Sequence, residues 1–546
     1  MCGVFGIYTY NTGLLDSGRN NPALDLLRHR GPDDSGVYQD EHIFIGHTRL
    51  SILDIETGQQ PMTSDDGRYT IAYNGEIYNY IELRNEISKL DVSFATRSDT
   101  EVILKYFQCF GPVETLNRIE GMFAFGIWDR LKSELFLARD RIGEKPMYYA
   151  YNANAFVFSS EIKSILSSGI VSDNLNENGL FEYFCRTKIA GSSTFMKDIK
   201  ELKPGHYMLI NDLSVRPCQR KYWDLVTEYM IGRDSKIVNE TEAYQAIETS
   251  LLQSFESRMI SDVPVGLLTS GGIDSSVVAG VLAGKGYQDL KCFCAGNNNS
   301  AIDESPFAQQ LVSYINRKTD ANFDLVVVKK DLVTYIDIVE KLTYIYDEPL
   351  QFSNSIAMYY LCVEAKKYGI KVLLSGEGAD ELFCGYDRYE RTFEMADEQI
   401  ANGNRIEDIL YYGGGLDNTK IVADMCGLTH VNADTRLLGE SYEWLKANNN
   451  IPMMDLILLY DQHYRLQFLN QRQDRMGMAA GIELRQPFLN YQLVNLANSL
   501  DTNLKFNKNS GQRKYILKRI AEKYIPDDII ARPKTGFPSD LGVFLR

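Results

Sequence analysis

The stretch from Pro264 to Ser276, Pro-Val-Gly-Leu-Leu-Thr-Ser-Gly-Gly-Ile-Asp-Ser-Ser, most restricts what this chain can fold into. Val265 to Leu268 are apolar and suit a buried parallel strand. Ser270, Gly271 and Gly272 let the backbone turn sharply and come close to a ligand. Ser275 onward, through Ser276-Val277-Val278-Ala279-Gly280-Val281-Leu282, predicts the first turns of a helix. A helix that starts at a small-residue loop offers unpaired N–H groups and the positive end of its dipole to an anion. Asp274 fits such a cradle when it holds a divalent cation that phosphates share. The common Gly-x-x-x-x-Gly-Lys-Ser/Thr loop is excluded: Gly280 to Lys285 has the wrong spacing, and Gly286 stands where a hydroxyl is needed.

The same logic recurs at Val372-Leu373-Leu374-Ser375-Gly376-Glu377-Gly378-Ala379-Asp380-Glu381-Leu382-Phe383, again an apolar run, a glycine-containing loop and a helix start. The helix dipole accounts for any one of Glu377, Asp380 and Glu381. Two such loops, each with a well-placed aspartate, instead predict Asp274 and Asp380 sharing Mg²⁺ on a pyrophosphate. Between and around them lie a helical pattern over Glu242 to Ser257, β-rich runs at Leu290 to Gly296 and Phe323 to Val328, and a helix start at Asp303-Glu304-Ser305-Pro306. That alternation predicts a doubly wound parallel sheet with ligand at the carboxyl ends of its strands.

At 546 residues the chain has length for two to four domains. A net charge of −16 excludes a nucleic-acid coat and an anionic-membrane binder. No apolar run has the length of a membrane span and no signal-peptide pattern opens the chain, so a cytoplasmic protein is expected. Nine cysteines without a regular framework fit a reducing compartment, and Cys292 and Cys294 are too close for the usual metal knuckle. The six histidines form no zinc-type pair.

The chain opens Met1-Cys2-Gly3-Val4-Phe5. With the initiator methionine removed, Cys2 carries a thiol beside its own α-amine, a compact nucleophile–base pair. A polar loop follows at Arg28-His29-Arg30-Gly31-Pro32-Asp33-Asp34-Ser35-Gly36. Then come His47-Thr48-Arg49-Leu50-Ser51-Ile52 after an alternating strand, Ile71 to Asn79 with Asn74-Gly75 inside it, and Ala95 to Glu101 ahead of an amphipathic helix, Val102 to Phe110. From Gly121 to Ile210 strands dominate, which predicts two stacked antiparallel sheets with helices outside. Arg139 to Pro146 is a charged loop of structural character, and Lys221 to about Glu240 has the composition of a linker.

Met1 to Ile7 and the four motifs after it resemble the class II glutamine amidotransferase domain, an αββα sandwich of N-terminal-nucleophile hydrolase type. The resemblance implies that Cys2 attacks the side-chain amide of glutamine. It implies Arg49, with Leu50, Ser51 and Ile52, at the α-carboxylate, Glu76 and Asp99 at the α-ammonium, and the Asn74 side chain and Gly75 N–H as oxyanion hole. Ser-Gly-Gly-Ile-Asp-Ser resembles the loop of ATP pyrophosphatases, and the order of the two halves resembles the glutamine-hydrolysing asparagine synthetase family, with its β-lactam-forming relatives. That similarity implies Leu268 and Ala295 flanking adenine, and Ser270, Gly271, Gly272, Asp274, Ser275, Ser375 and Gly376 on the nucleotide. Glu377 would lie near the carboxylate being activated, and Lys534, in Arg532-Pro533-Lys534-Thr535-Gly536-Phe537, over the ATP phosphates with Lys514. Gln473 to Ala479 and Glu483 to Leu489 resemble the family's arginine-bearing helical motifs.

Three features depart from the family. Asn490 replaces a usual aspartate, the acceptor stretch Asp347 to Ser355 lacks an arginine some members have, and the chain stops soon after the lysine motif. The expectation is a glutaminase domain over 2–212, a linker over 213–240 and an ATP-dependent synthetase domain over 241–546. Substrates are glutamine, ATP with Mg²⁺, and an acceptor carboxylate, aspartate first and a sugar acid or other acid as the rival; a non-catalytic sensor of glutamine and ATP is the distant alternative. No nucleic-acid or membrane partner is expected, and a homodimer is left open. No role is assigned to 386–453.

Overall fold

The computed structural model describes residues 2–186, 189–297, 303–330, 332–350, 352, 354–403, 406 and 439–532. Its first half is built on two six-stranded antiparallel sheets. One runs, edge to edge, Lys200–Glu201, Tyr148–Tyr151, Ala155–Ser159, Cys2–Thr9, Ile43–Arg49 and Asp34–Gln39. The other runs Arg220–Lys221, His206–Ile210, Glu134–Arg139, Gly121–Asp129, Tyr69–Ile77 and Met62–Thr63. Val4, Tyr8, Ala72, Ala124, Trp128, Leu137 and Phe158 fill the space between them. Helices Ser17–Asp25 and Ile162–Ser167 cover the outside of the first sheet, and Tyr80–Ser88 and Asp99–Phe110 the outside of the second. This is the αββα sandwich, each sheet burying one face on its partner and the other under helices. Asn74-Gly75 makes no hairpin turn: the strand Tyr69–Ile77 runs straight through it against Gly121–Asp129.

The second half holds a five-stranded parallel sheet, ordered Asp324–Val328, Lys291–Ala295, Val265–Leu268, Val372–Leu374 and Glu483–Arg485. Chain order reverses between Val265–Leu268 and Val372–Leu374, the place where such sheets open a crevice at their carboxyl ends. Both glycine loops leave the sheet there.

Two expectations need correcting. Glu483 to Leu489 is not one helix: Gly481, at φ +70°, ends the helix Leu466–Ala480, Glu483–Arg485 becomes the fifth strand, and only Pro487–Leu489 makes a short 3-10 turn. Its charges are neutralised in place, because Arg485 Nε donates to Glu483 Oε1 at 2.6 Å and Nη1 to the Arg258 and Ile260 carbonyls at 2.6 and 2.7 Å. The stretch 213–240 is also more than a tether. Arg220–Lys221 adds an edge strand to the amino-terminal half. Leu225 and Tyr229, on the helix Leu225–Asp234, enter the carboxy-terminal core, because their apolar bodies need burial.

Candidate active sites

Cys2 starts a buried strand, pinned at both backbone ends. Its N–H donates to Asn74 Oδ1 at 2.9 Å, and its carbonyl accepts from Arg30 Nε at 3.0 Å. Burial pushes the thiol above its ordinary pKa, so attack on a carbonyl needs a base, the role open to the α-amine of Cys2. With Oδ1 engaged, Asn74 Nδ2 is buried and has no hydrogen-bond partner among the described residues. A buried unpaired N–H₂ on the side chain that holds Cys2 is the donor an oxyanion would meet. Gly75 follows because there is no room for more: a Cβ would lie 2.1 Å from the Met122 carbonyl oxygen. Gly75→Ala is expected to displace this strand and cut glutamine hydrolysis by about 10²-fold or more, the usual cost of a lost oxyanion donor. Steady-state glutamate release measures it, and a wild-type rate would contradict the packing.

The expected ammonium partners are close together and buried. Asp99 Oδ2 accepts from the Tyr73 hydroxyl at 2.9 Å and the Ile77 N–H at 3.0 Å. Burial, with the neighbouring Glu483 and Asp99 carboxylates, holds Glu76 well above the usual carboxylate range. Such a site gains from a bound cation. Arg49 clamps the turn after Leu50, Ser51 and Ile52, donating to the carbonyls of Leu53, Asp54 and Ile55 at 3.0, 2.6 and 3.1 Å.

Sequence reasoning missed what lies behind Cys2. Arg30, fully buried, donates to both Asp474 oxygens at 2.8 and 3.1 Å and to Glu161 Oε1 at 3.0 Å. Glu161 also meets Arg475 Nη1 at 2.7 Å, and Lys163. Glu348, half-buried in the structure, is pushed up to about 8 by desolvation and by the Glu201 carboxylate. The available signal was charge inside the otherwise buried helix Leu466–Ala480.

The second site sits at the switch point of the parallel sheet. A cavity of about 260 Å³ is lined by Leu268, Phe293, Ala295, Met358 and Leu361 on an apolar side and by Ser270, Asp274, Ser375, Glu377 and Asp380 on a polar one. The two glycine loops touch: a Cβ on Gly376 would lie 2.6 Å from Ser275 N. Gly271, at φ +68°, makes the turn that the first loop needs. Ser275 Oγ accepts from Ser270 N at 3.1 Å, and the helix Ile273–Gly284 presents its N-terminus to the cavity. Lys514 Nζ lies 2.5 Å from Asp274 Oδ1 and 2.5 Å from Asp380 Oδ1. One small cation therefore reaches both aspartates, and the pair fits Mg²⁺ completed by phosphate oxygens and water; among the described residues no group of three metal-binding side chains forms a cage. Glu377 is held by Arg472 and, at 2.9 Å, by Gln473 Nε2, while Arg472 Nη1 donates to Asn354 Oδ1 at 2.9 Å. A second cavity of about 340 Å³, lined by Gly272, Arg513, Lys514, Lys518 and Arg532, adjoins the first loop. Lys534 lies outside the described residues. Asn490 caps the helix Tyr491–Asn498, accepting from Gln492 N and Leu493 N, which is the work an aspartate would do there.

An αββα sandwich carrying Cys2, joined to a parallel sheet with two glycine loops at its switch point, marks a glutamine-dependent, ATP-using amide-forming enzyme, the class its family models give. The chain belongs to the asparagine synthase family: residues 246–545 match the asparagine synthase family, and residues 1–223 match the glutamine amidotransferase domain. It is 30% identical to a Bacillus subtilis protein named asparagine synthetase (glutamine-hydrolyzing) 1, over 100% of this chain and 88% of that one. It is 31% identical to the same organism's asparagine synthetase (glutamine-hydrolyzing) 3, over 98% and 87%. It is also 27% identical to a Gibberella zeae protein named amidase chry2, over 94% and 84%. A solved structure titled as the allosteric regulatory enzyme of purine biosynthesis aligns with a TM-score of 0.33 at 15% identity, over 60% of this chain and 80% of that one. No helix among the described residues is long and apolar enough to cross a membrane.

Proposed function

We propose that this chain converts aspartate to asparagine in the cytoplasm, using glutamine as nitrogen donor and ATP as activator, and releasing glutamate, AMP and pyrophosphate. The observation that carries this reading is the meeting of Asp274, Asp380 and Lys514 at the loop crevice, with Glu377 held in the same cavity. The Cys2 thiolate attacks the glutamine amide carbon, Asn74 Nδ2 and Gly75 N–H receive the oxyanion, and the tetrahedral adduct collapses to a thioester as the Cys2 α-amine passes the thiol's proton to the departing ammonia; water then cleaves the thioester to glutamate and frees the thiol. Arg49 holds the α-carboxylate of glutamine, and Glu76 and Asp99 its α-ammonium.

In the second site Leu268 and Ala295 flank adenine, and the Ser270–Ser275 loop and Ser375-Gly376 hold the phosphates. The acceptor carboxylate oxygen displaces pyrophosphate at the α-phosphorus, and ammonia then displaces AMP from the acyl carbon. Asp274 and Asp380 would hold Mg²⁺, which when bound would neutralise the charge on departing pyrophosphate. Lys514 faces the same charge, Lys534 is assigned to it by its sequence motif alone, and Glu377 lies beside the acceptor. Ammonia crosses between the sites without meeting bulk water, where protonation would remove its lone pair.

A second reading keeps this chemistry and changes the acceptor to a sugar acid or another carboxylate. The stretch from Asp347 lacks an arginine, and relatives include a protein named as an amidase. Pyrophosphate release with ATP, glutamine and a panel of acids decides between them. Release confined to aspartate is the expected result; release with another acid and none with aspartate would overturn the assignment.

A further inference from the structure

We propose that Asp474, which the synthetase half supplies, is a positioning residue of the glutaminase reaction; this rests on the reading that Cys2 hydrolyses glutamine. Asp474 lies on the helix Leu466–Ala480, 1% exposed, with Gln473 and Arg472 beside it reaching Glu377 in the ATP cavity. Its two carboxylate oxygens accept hydrogen bonds from both terminal nitrogens of Arg30. This paired geometry fixes the plane of a guanidinium. Arg30 Nε then donates to the Cys2 carbonyl.

The nucleophile's residue is thus held at its N–H by Asn74 and at its C=O by a cation whose orientation the other half of the molecule sets. Glu161 cannot take over the task, because it already serves Arg475, Lys163 and His29 besides Arg30. Burial disfavours an isolated guanidinium, and the Asp474 and Glu161 charges are what hold Arg30 above its ordinary pKa against that penalty. With Asp474 neutral, Arg30 keeps a single shared anion and loses the fork that orients it. The Cys2 carbonyl then has no fixed donor, and the thiol no fixed approach to the amide carbon. A displacement of about 1 Å at a nucleophile is enough to cost about 10²-fold in rate.

The test uses the full chain and three readouts. Asp474→Asn is expected to lower kcat for glutamate release from glutamine about 10- to 100-fold, the usual cost of losing a partner that orients a group in a site. KM for glutamine should stay within about threefold, since the substrate contacts are untouched. ATP binding, followed by calorimetric titration, should stay within about twofold of wild type. Asp474→Glu, which keeps the charge, should recover part of the lost kcat. A wild-type kcat in Asp474→Asn would overturn the proposal. So would parallel loss of glutaminase activity and ATP binding that Asp474→Glu does not relieve, because a purely structural residue behaves that way. A wild-type protein that releases no glutamate would instead overturn the reading of Cys2, and this proposal with it.

Discussion

Cys2→Ala is expected to lose glutamine-supported synthesis by about three orders of magnitude or more, while synthesis from ammonium salts continues. The geometry separates the two outcomes. Cys2 lies in the strand Cys2–Thr9 against Asn74 and Arg30, and it lines neither cavity at the parallel sheet. Removing its sulfur deletes the nucleophile and leaves the Asp274–Lys514–Asp380 cluster intact. Alanine is small enough for methionine removal and for the buried strand position. Ammonium-supported activity should rise with pH across neutrality, because only the free base attacks. The glutamine-supported wild-type rate should depend less on external pH if ammonia passes between the sites unprotonated. Glutamine-dependent product from Cys2→Ala would contradict the nucleophile assignment. Loss of ammonium-dependent synthesis in a folded variant would contradict the division of labour.

Asp274→Asn and Asp380→Asn should each lower amide formation about 10³-fold, equivalent to about 4 kcal/mol of transition-state stabilisation. Glutamate release by Cys2 should persist. Each aspartate sits 2.5 Å from the same ammonium nitrogen, so each substitution removes half of the carboxylate pair at that point. The loss should fall on the step in which pyrophosphate leaves, where negative charge accumulates. Glutamate and pyrophosphate measured in one reaction separate the two half-reactions. Normal synthesis by either variant at physiological Mg²⁺ would exclude a shared cation.

What the sequence made legible is what depends on neighbours in the chain. Val265 to Ser275 and Val372 to Asp380 declare strand, turn and helix start within about a dozen residues, and the structure places both loops at one switch point. Cys2, Asn74 and Gly75 were each visible as motif residues, but their contacts required the fold. The Arg30–Asp474 pair spans 444 residues of sequence, and nothing local marks either side chain as the other's partner. The strand Glu483–Arg485 was hidden for a related reason. Charged residues argue against a buried strand until a tertiary partner for each charge is in hand. Arg49 carried a ligand assignment in the sequence, and the fold adds a second task to it, clamping the Leu53–Ile55 turn.

Nitrogen transfer between the two sites is the claim on which the rest depends, and an isotope measurement tests it directly. Wild-type protein would be given amide-¹⁵N glutamine, ATP, Mg²⁺ and aspartate, with an equal concentration of unlabelled ammonium present. The account predicts asparagine carrying predominantly ¹⁵N, formed in step with glutamate, AMP and pyrophosphate. Asparagine carrying the diluted label of the bulk ammonium pool would contradict transfer between the sites, and glutamate formed without any labelled amide product would contradict the proposed reaction itself.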